Sequence, residues 1–154
     1  MSQSTITFIG GGNMAGAIYG GLLDNGFNPD RISVVDPSDG AQQQASRSGL
    51  SRFYSTAPEI IEDDLVVLAV KPQIASKVLA SLQGKLSQST TVLSIIAGIS
   101  SQSLAAMLGL ADTSTIIRCM PNTPALVNEG MTALLTNSQC GESGQMLAEQ
   151  VMAA

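Results

Sequence analysis

The chain has 154 residues, 44% of them hydrophobic and only 12% charged, with seven Lys and Arg against twelve Asp and Glu. That length suits a single domain with a substantial core. The net charge of −5, with the cations scattered from Arg31 to Arg118, excludes the cationic stripe of a nucleic-acid binder, and the absence of histidine excludes His-based triads. The charged fraction is about half the usual ~25%. This suits either a tightly wound α/β core or a piece whose surface meets a partner. The longest apolar run, Leu65 to Val70, is far below the roughly 18 residues of a membrane span. The N-terminus has neither the basic flank nor the apolar stretch of a signal peptide. A cytoplasmic protein without membrane contact is expected. Two cysteines are too few for a disulfide scaffold or a metal site, and Cys119, inside "STIIRCM", reads as a small buried hydrophobe.

Short β-branched runs alternate with longer helical stretches. "TITFIG" (5–10) predicts a strand leading into a helix over 13–25, stopped at Gly26. "RISVVD" (31–36) is the second strand, followed by a polar helix over 38–48. "RFYS" (52–55) is a weak third strand, followed by a short helix over 57–62. "LVVLAV" (65–70) is apolar throughout, as a strand buried on both faces of a parallel sheet should be. Pro72 suits the first turn of the next helix, whose apolar stripe is Ile74, Val78, Leu79 and Leu82. "TVLSII" (91–96), a helix over 101–109 and "STIIRCM" (114–120) repeat the theme. The tail "GESGQMLAEQVMAA" reads as a helix with Leu147, Ala148, Val151 and Met152 on one apolar face, which would pack on its own domain or lead into a following helical one. The alternation predicts an α/β fold with a doubly wound, Rossmann-type parallel sheet, one domain over 1–154, ending in the start of an interdomain helix.

"FIGGGNMAGAIYGG" (8–21) packs six glycines into fourteen positions between a strand and a helix. Gly10, Gly12 and Ala15 fill a G-x-G-x-x-A pattern. Gly10 permits the tight turn, Gly12 lets the backbone approach a pyrophosphate, and Ala15 keeps the helix close to the sheet. The helix N-terminus then offers donors and positive potential to phosphates. Asp36, ending the second strand, is placed to bind an adenosine ribose. The plainer alternative is a glycine-rich turn that serves packing alone, with Asp36 a turn residue. Ligands of parallel sheets bind beyond the carboxyl ends of the strands, where "AVKPQ" (69–73), "SIIAGIS" (94–100) and "RCMPNTPALVNEG" (118–130) also project. Lys71, preceding a proline, is biased to extended backbone, and its ammonium is equally well read as solvated. Ala97 and Gly98 are small enough for a flat ring to lie against them. Pro121 and Pro124 stiffen a loop that presents Asn122 and Thr123 as substrate-side candidates.

"FIGGGNMAGAI", "VLAVKPQ", "SIIAGIS" and "RCMPNTPALVNEGMTAL" resemble, in order and over nearly the whole chain, the N-terminal domain of the pyrroline-5-carboxylate reductases. The resemblance implies reduction of the small molecule 1-pyrroline-5-carboxylate to L-proline, in proline biosynthesis, by a nicotinamide cofactor: NADP(H), with NAD(H) as the alternative. It implies a cofactor site of Ile9, Gly10, Gly11, Gly12, Asn13, Met14 and Ala15, with Ser38 and Thr56 at the adenosine end. Ala69, Val70, Lys71, Pro72, Ile95, Ile96 and Ala97 would line the nicotinamide end. There are two departures. Asp36 should repel a 2′-phosphate, although Ser38 can donate to one. Members of the family continue into an all-helical domain that builds a homo-oligomer and binds the substrate carboxylate, whereas this sequence stops at Ala154. A cofactor-binding part, inactive alone, is the expectation, and no catalytic acid is assigned within it. Other reductases with the same nucleotide fold, such as β-hydroxyacid dehydrogenases, and a non-catalytic dinucleotide sensor are the competing readings.

Overall fold

The computed structural model describes residues 4–111, 116–121, 132–135 and 141–154. Four of its strands are short apolar runs with little or no polar interruption: β1 (Ile6–Ile9), β2 (Ile32–Val35), β4 (Leu65–Leu68) and β5 (Thr91–Ser94), of which the first three are buried at every position. With β3 (Arg52–Tyr54), β6 (Ile116–Pro121) and β7 (Thr132–Leu135) they form one sheet of order β3-β2-β1-β4-β5-β6-β7. The first six strands run parallel, and β7 closes the edge antiparallel to β6, with Arg118 opposite Leu135. The chain winds outward from β1 to β3, then crosses back to β4 and winds the other way. The switch between β1 and β4 is where such sheets open a crevice at their carboxyl ends.

Alternation along the strands sorts the helices into two layers. Ile6, Phe8 and Val34 point to one face and pack with Ile18, Tyr19 and Leu22 of α1 (Asn13–Asp24) and Ala45 of α2 (Asp39–Arg47). The Phe8 and Tyr19 rings meet edge to face with centroids 5.8 Å apart. Ile9, Val35, Val66, Leu68 and Val92 point to the other face, under Ala75 and Leu79 of α3 (Pro72–Ser81) and Leu104 and Leu108 of α4 (Ser101–Leu108). The tail forms α5 (Glu142–Ala153) on the α1 face. Its Leu147, Ala148 and Val151 are buried in that core, so this apolar face packs on its own domain, the first of the two alternatives.

Three expectations need correction. Residues 57–62 are not helical. The segment crosses extended, with the Ile61 amide donating to the Lys85 carbonyl at 2.6 Å and the Ser87 amide to the Ile61 carbonyl at 3.0 Å. Only Ile61 is buried there while Ile60 is 65% exposed, so six residues interrupted by Pro58 offer no apolar stripe to offset the cost of helix nucleation. The fifth strand ends at Ser94 rather than at residue 96, because the Ser94 hydroxyl accepts from the Ile96 amide at 3.2 Å and turns the chain. The stripe of α3 divides: Leu79 and Leu82 enter the core, but Ile74 is 50% exposed. The antiparallel β7 was not expected from the strand-helix alternation.

Candidate functional site

The carboxyl ends of β1, β2 and β4 are tied together by bonds that continue the ladder past the strands. The Gly10 amide donates to the Val35 carbonyl at 2.8 Å, the Asp36 amide to the Tyr54 carbonyl at 2.9 Å, and the Ala69 amide to the Ile9 carbonyl at 2.8 Å. Into this edge the β1–α1 loop is fitted tightly. Gly10 has φ +98°, and a Cβ there would lie 2.7 Å from the Ala69 carbonyl oxygen. A Cβ on Gly11 would lie 2.8 Å from Val34 Cγ1 and 3.0 Å from Ala41 Cβ. Both positions therefore demand glycine for the protein's own packing. Gly12 differs. Its φ is −75°, and a Cβ would meet nothing within 4 Å.

Gly12 is also the N-cap of α1, where no side chain caps the helix and no acidic residue occupies the first turn. A helix N-terminus leaves up to four amides without an intrahelical partner. Lys71 N-caps α3 in the same manner, without a side-chain bond and with Pro72 in the first turn. The two other crossover helices are closed by serine: the Ser38 hydroxyl accepts from the Ala41 amide at 3.2 Å and the Ser100 hydroxyl from the Ser103 amide at 3.1 Å. The open N-termini flank the switch between β1 and β4.

Beside this edge lies a cavity of about 600 Å³, floored by Ile9, Gly10 and Val35. Asp36 and Pro37 bound it on the β2 side, Ser55, Thr56 and Ala57 above β3, and Val70, Ile74, Lys77 and Val78 on the α3 side. Of the sequence-predicted residues, the fold thus brings Ile9, Gly10, Asp36, Thr56 and Val70 around one cavity. Gly12, Asn13, Lys71, Pro72 and Ala97 are exposed on the edge, with Met14, Ala69 and Ile95 half-buried. Gly11, Ala15 and Ile96 are buried, Ile96 in the α3–α4 core, where its side chain cannot line the edge. Ser38 is exposed at the start of α2. Asn122 and Thr123 lie outside the described residues.

Sequence reasoning missed Ile74, Lys77 and Val78 as cavity wall. An apolar residue at helical spacing looks the same whether it faces a core or a ligand cavity, so Ile74 and Val78 gave no separate signal. Among the described residues no group of three or more His, Cys, Asp or Glu could hold a metal ion, and no helix is long and apolar enough to cross a membrane. Cys119 is 1% exposed, and burial pushes its thiol up to about 12. It behaves as core, not as a nucleophile.

Residues 5–98 match the family model described as NADP oxidoreductase coenzyme F420-dependent. The chain is 40% identical over 156 aligned positions to a pyrroline-5-carboxylate reductase of Pseudomonas aeruginosa, an alignment covering 96% of this chain and 56% of that protein. Among solved structures it is similar to a pyrroline-5-carboxylate reductase from Coxiella burnetii, with TM-score 0.88 and 36% identity over 99% of this chain and 56% of the other. It is also similar to Plasmodium falciparum pyrroline carboxylate reductase with NADP bound, with TM-score 0.80 and 26% identity over 99% and 55%. The chain therefore spans somewhat more than half the length of these relatives.

Proposed function

Since the chain belongs to the family described as NADP oxidoreductase coenzyme F420-dependent, we propose that it is the nicotinamide-dinucleotide-binding part of a reductase that converts 1-pyrroline-5-carboxylate to L-proline. The observation that carries the reading is Gly12. It is the loop glycine that no protein atom requires, at an uncapped helix N-terminus, with open space where a side chain would stand. A ligand backbone lying there supplies the missing reason for glycine, and a pyrophosphate is the group that a helix N-terminus at a sheet's switch point accommodates.

In this proposal the amides of Gly12, Asn13 and Met14 face the pyrophosphate, and Ala15 lets α1 lie close to the sheet. The cavity between Val35, Thr56, Val70 and Ile74 takes the adenosine, with Asp36 and Ser38 at its ribose side. The edge from Ala69 to Pro72 and from Ile95 to Ala97 bounds the other end, where the bound cofactor would supply the hydride. The residues of this chain contribute position and exclusion of water rather than acid–base chemistry. Orientation of one ring against another accounts for a large part of such a barrier. Asn122 and Thr123 are proposed for the substrate side. Assembly of copies through the remaining part of a full-length protein, and a cytoplasmic location, belong to the same proposal. NADP(H) is the favoured cofactor because a relative of the same fold holds NADP. NAD(H) is the alternative.

Calorimetric titration with NADPH and NADH tests the binding. Saturable one-to-one binding of either is expected, and heat no greater than dilution for both overturns the proposal. The substrate assignment is tested on a full-length chain by NADPH oxidation dependent on pyrroline-5-carboxylate. Turnover with hydroxyacids and not with the cyclic imine would overturn that part.

A further inference from the structure

Resting on the dinucleotide reading, we propose that Asp36 is a positioning residue that latches the glycine loop, and not the group that discriminates between cofactors at the ribose. An acid at the end of the second strand would ordinarily be assigned to the ribose hydroxyls. Here both carboxylate oxygens are already directed at the protein's own amides. Oδ2 accepts from the Gly11 amide at 2.8 Å, and Oδ1 accepts from the Ser38 amide at 2.8 Å. The residue's backbone is fixed as well, with its amide donating to the Tyr54 carbonyl at 2.9 Å and its carbonyl accepting from Gln42 Nε2 at 3.3 Å.

The first of these bonds spans the site. Gly11 belongs to the β1–α1 loop and Asp36 to the β2–α2 turn, 25 residues on. The contact forms only because Gly11 has no side chain to strike Val34 and Ala41. The second bond closes a local turn that sets Ser38 as the cap of α2. One carboxylate therefore fixes the loop that carries Gly12 and the start of the helix that carries Ser38. Charge-assisted bonds to backbone amides are stronger than neutral ones and directional. Moving the carboxylate should displace the pyrophosphate cradle for NADPH and NADH alike.

Three ligands and two variants separate latch from reader. In Asp36→Asn one of the two bonds must fail, since the amide nitrogen cannot accept. In Asp36→Glu the charge stays but the longer side chain cannot meet both amides in the same geometry. The latch requires both variants to lose at least fivefold in affinity for NADPH and for NADH. The NADPH-to-NADH ratio should stay within twofold of wild type, and binding of adenosine, which lacks the pyrophosphate, should be unchanged within twofold. A ratio shifted tenfold toward NADPH in Asp36→Asn would show that the residue reads the ribose and overturn the proposal. Equal losses for adenosine would reduce it to a general effect on folding and overturn it too. Amide hydrogen exchange in the ligand-free wild-type protein reports on the latch independently of any variant. Gly11 and Ser38 should be protected at least tenfold over unstructured rates, and unprotected exchange at Gly11 refutes the latch. Absence of dinucleotide binding by wild type would instead remove the functional reading, while the exchange measurement still decides the geometry.

Discussion

Gly10 and Gly12 are two residues apart in the same loop, yet opposite outcomes are expected when each receives a side chain. At Gly10, alanine must hold φ near +98°, which costs about 1–3 kcal/mol for an L residue. Its Cβ would also stand 2.7 Å from the Ala69 carbonyl oxygen and 2.8 Å from the carbonyl carbon. Both are backbone atoms of a segment fastened by the Ala69-to-Ile9 hydrogen bond of 2.8 Å. Relief requires that segment to shift, which forfeits about 1 kcal/mol more for the bond. Gly10→Ala should therefore lose roughly 2–4 kcal/mol, a large share of a typical 5–15 kcal/mol stability.

At Gly12 the backbone is extended and a Cβ would meet nothing within 4 Å, so a side chain can leave the backbone without a clash at Cβ. Gly12→Val should cost at most about 1 kcal/mol, the difference between a glycine and a poor N-cap. The same valine occupies the volume assigned to the pyrophosphate, and dinucleotide affinity should fall at least tenfold, about 1.4 kcal/mol. Urea unfolding and calorimetry on each variant give the four numbers needed. The reasoning fails if Gly12→Val is as destabilising as Gly10→Ala, or if a folded Gly12→Val protein binds NADPH as tightly as wild type.

Gly12→Asp would cap α1 and set a carboxylate at its positive end. Stability should rise by a few tenths to ~1 kcal/mol while dinucleotide binding is lost, and a variant both stabilised and fully competent to bind would contradict the site. Cys119 makes stability alkaline-sensitive. Burial raises its thiol from 9.0 to about 12, so above pH ~9 the unfolded chain releases a proton that the folded chain keeps, and stability falls as pH rises toward 12. Between pH 8.5 and 10.5 wild type should lose about 2 kcal/mol more than Cys119→Ala; identical slopes for the two would show the thiol to be solvated. Val151, on the inner face of α5, is fully buried, so Val151→Ala should cost about 2 kcal/mol. A change below ~0.5 kcal/mol in urea unfolding would mean that α5 is not docked on α1.

The winding of the sheet was legible because its signals are local. "LVVLAV" is apolar at every position, as a strand covered on both faces can be, and its first four residues form β4. The glycine loop was legible as a pattern, but not the division of labour within it. Gly11, an unspecified position of the pattern, is held between Val34 and Ala41, and nothing in its neighbours in sequence reveals atoms that arrive from 23 and 30 residues away. The same limit applies to Asp36. Its position after β2 could be read, whereas its grip on Gly11 is a long-range contact. The missing helix at 57–62 reflects competition: two isoleucines and acidic neighbours suit a helix, but the bridge from Ile61 to Leu86 gives the backbone better partners than one isolated turn would.

Helix caps show how one sequence separates structure from site. A serine before α2 and α4 satisfies orphan amides at a gain of about 1 kcal/mol each, and both hydroxyls make that bond. The same economy was open to α1 and α3, whose first helical residues, Asn13 and Pro72, follow Gly12 and Lys71. Neither predecessor caps, although serine or aspartate would fit the extended backbone at both. These two helices begin at β1 and β4, the strands between which the winding reverses. A cap there would fill the amides and the space that a phosphate needs. The uncapped ends of α1 and α3 thus forgo that gain at the two places where the topology opens a crevice, and in the proposed function a pyrophosphate is the partner for the amides of α1.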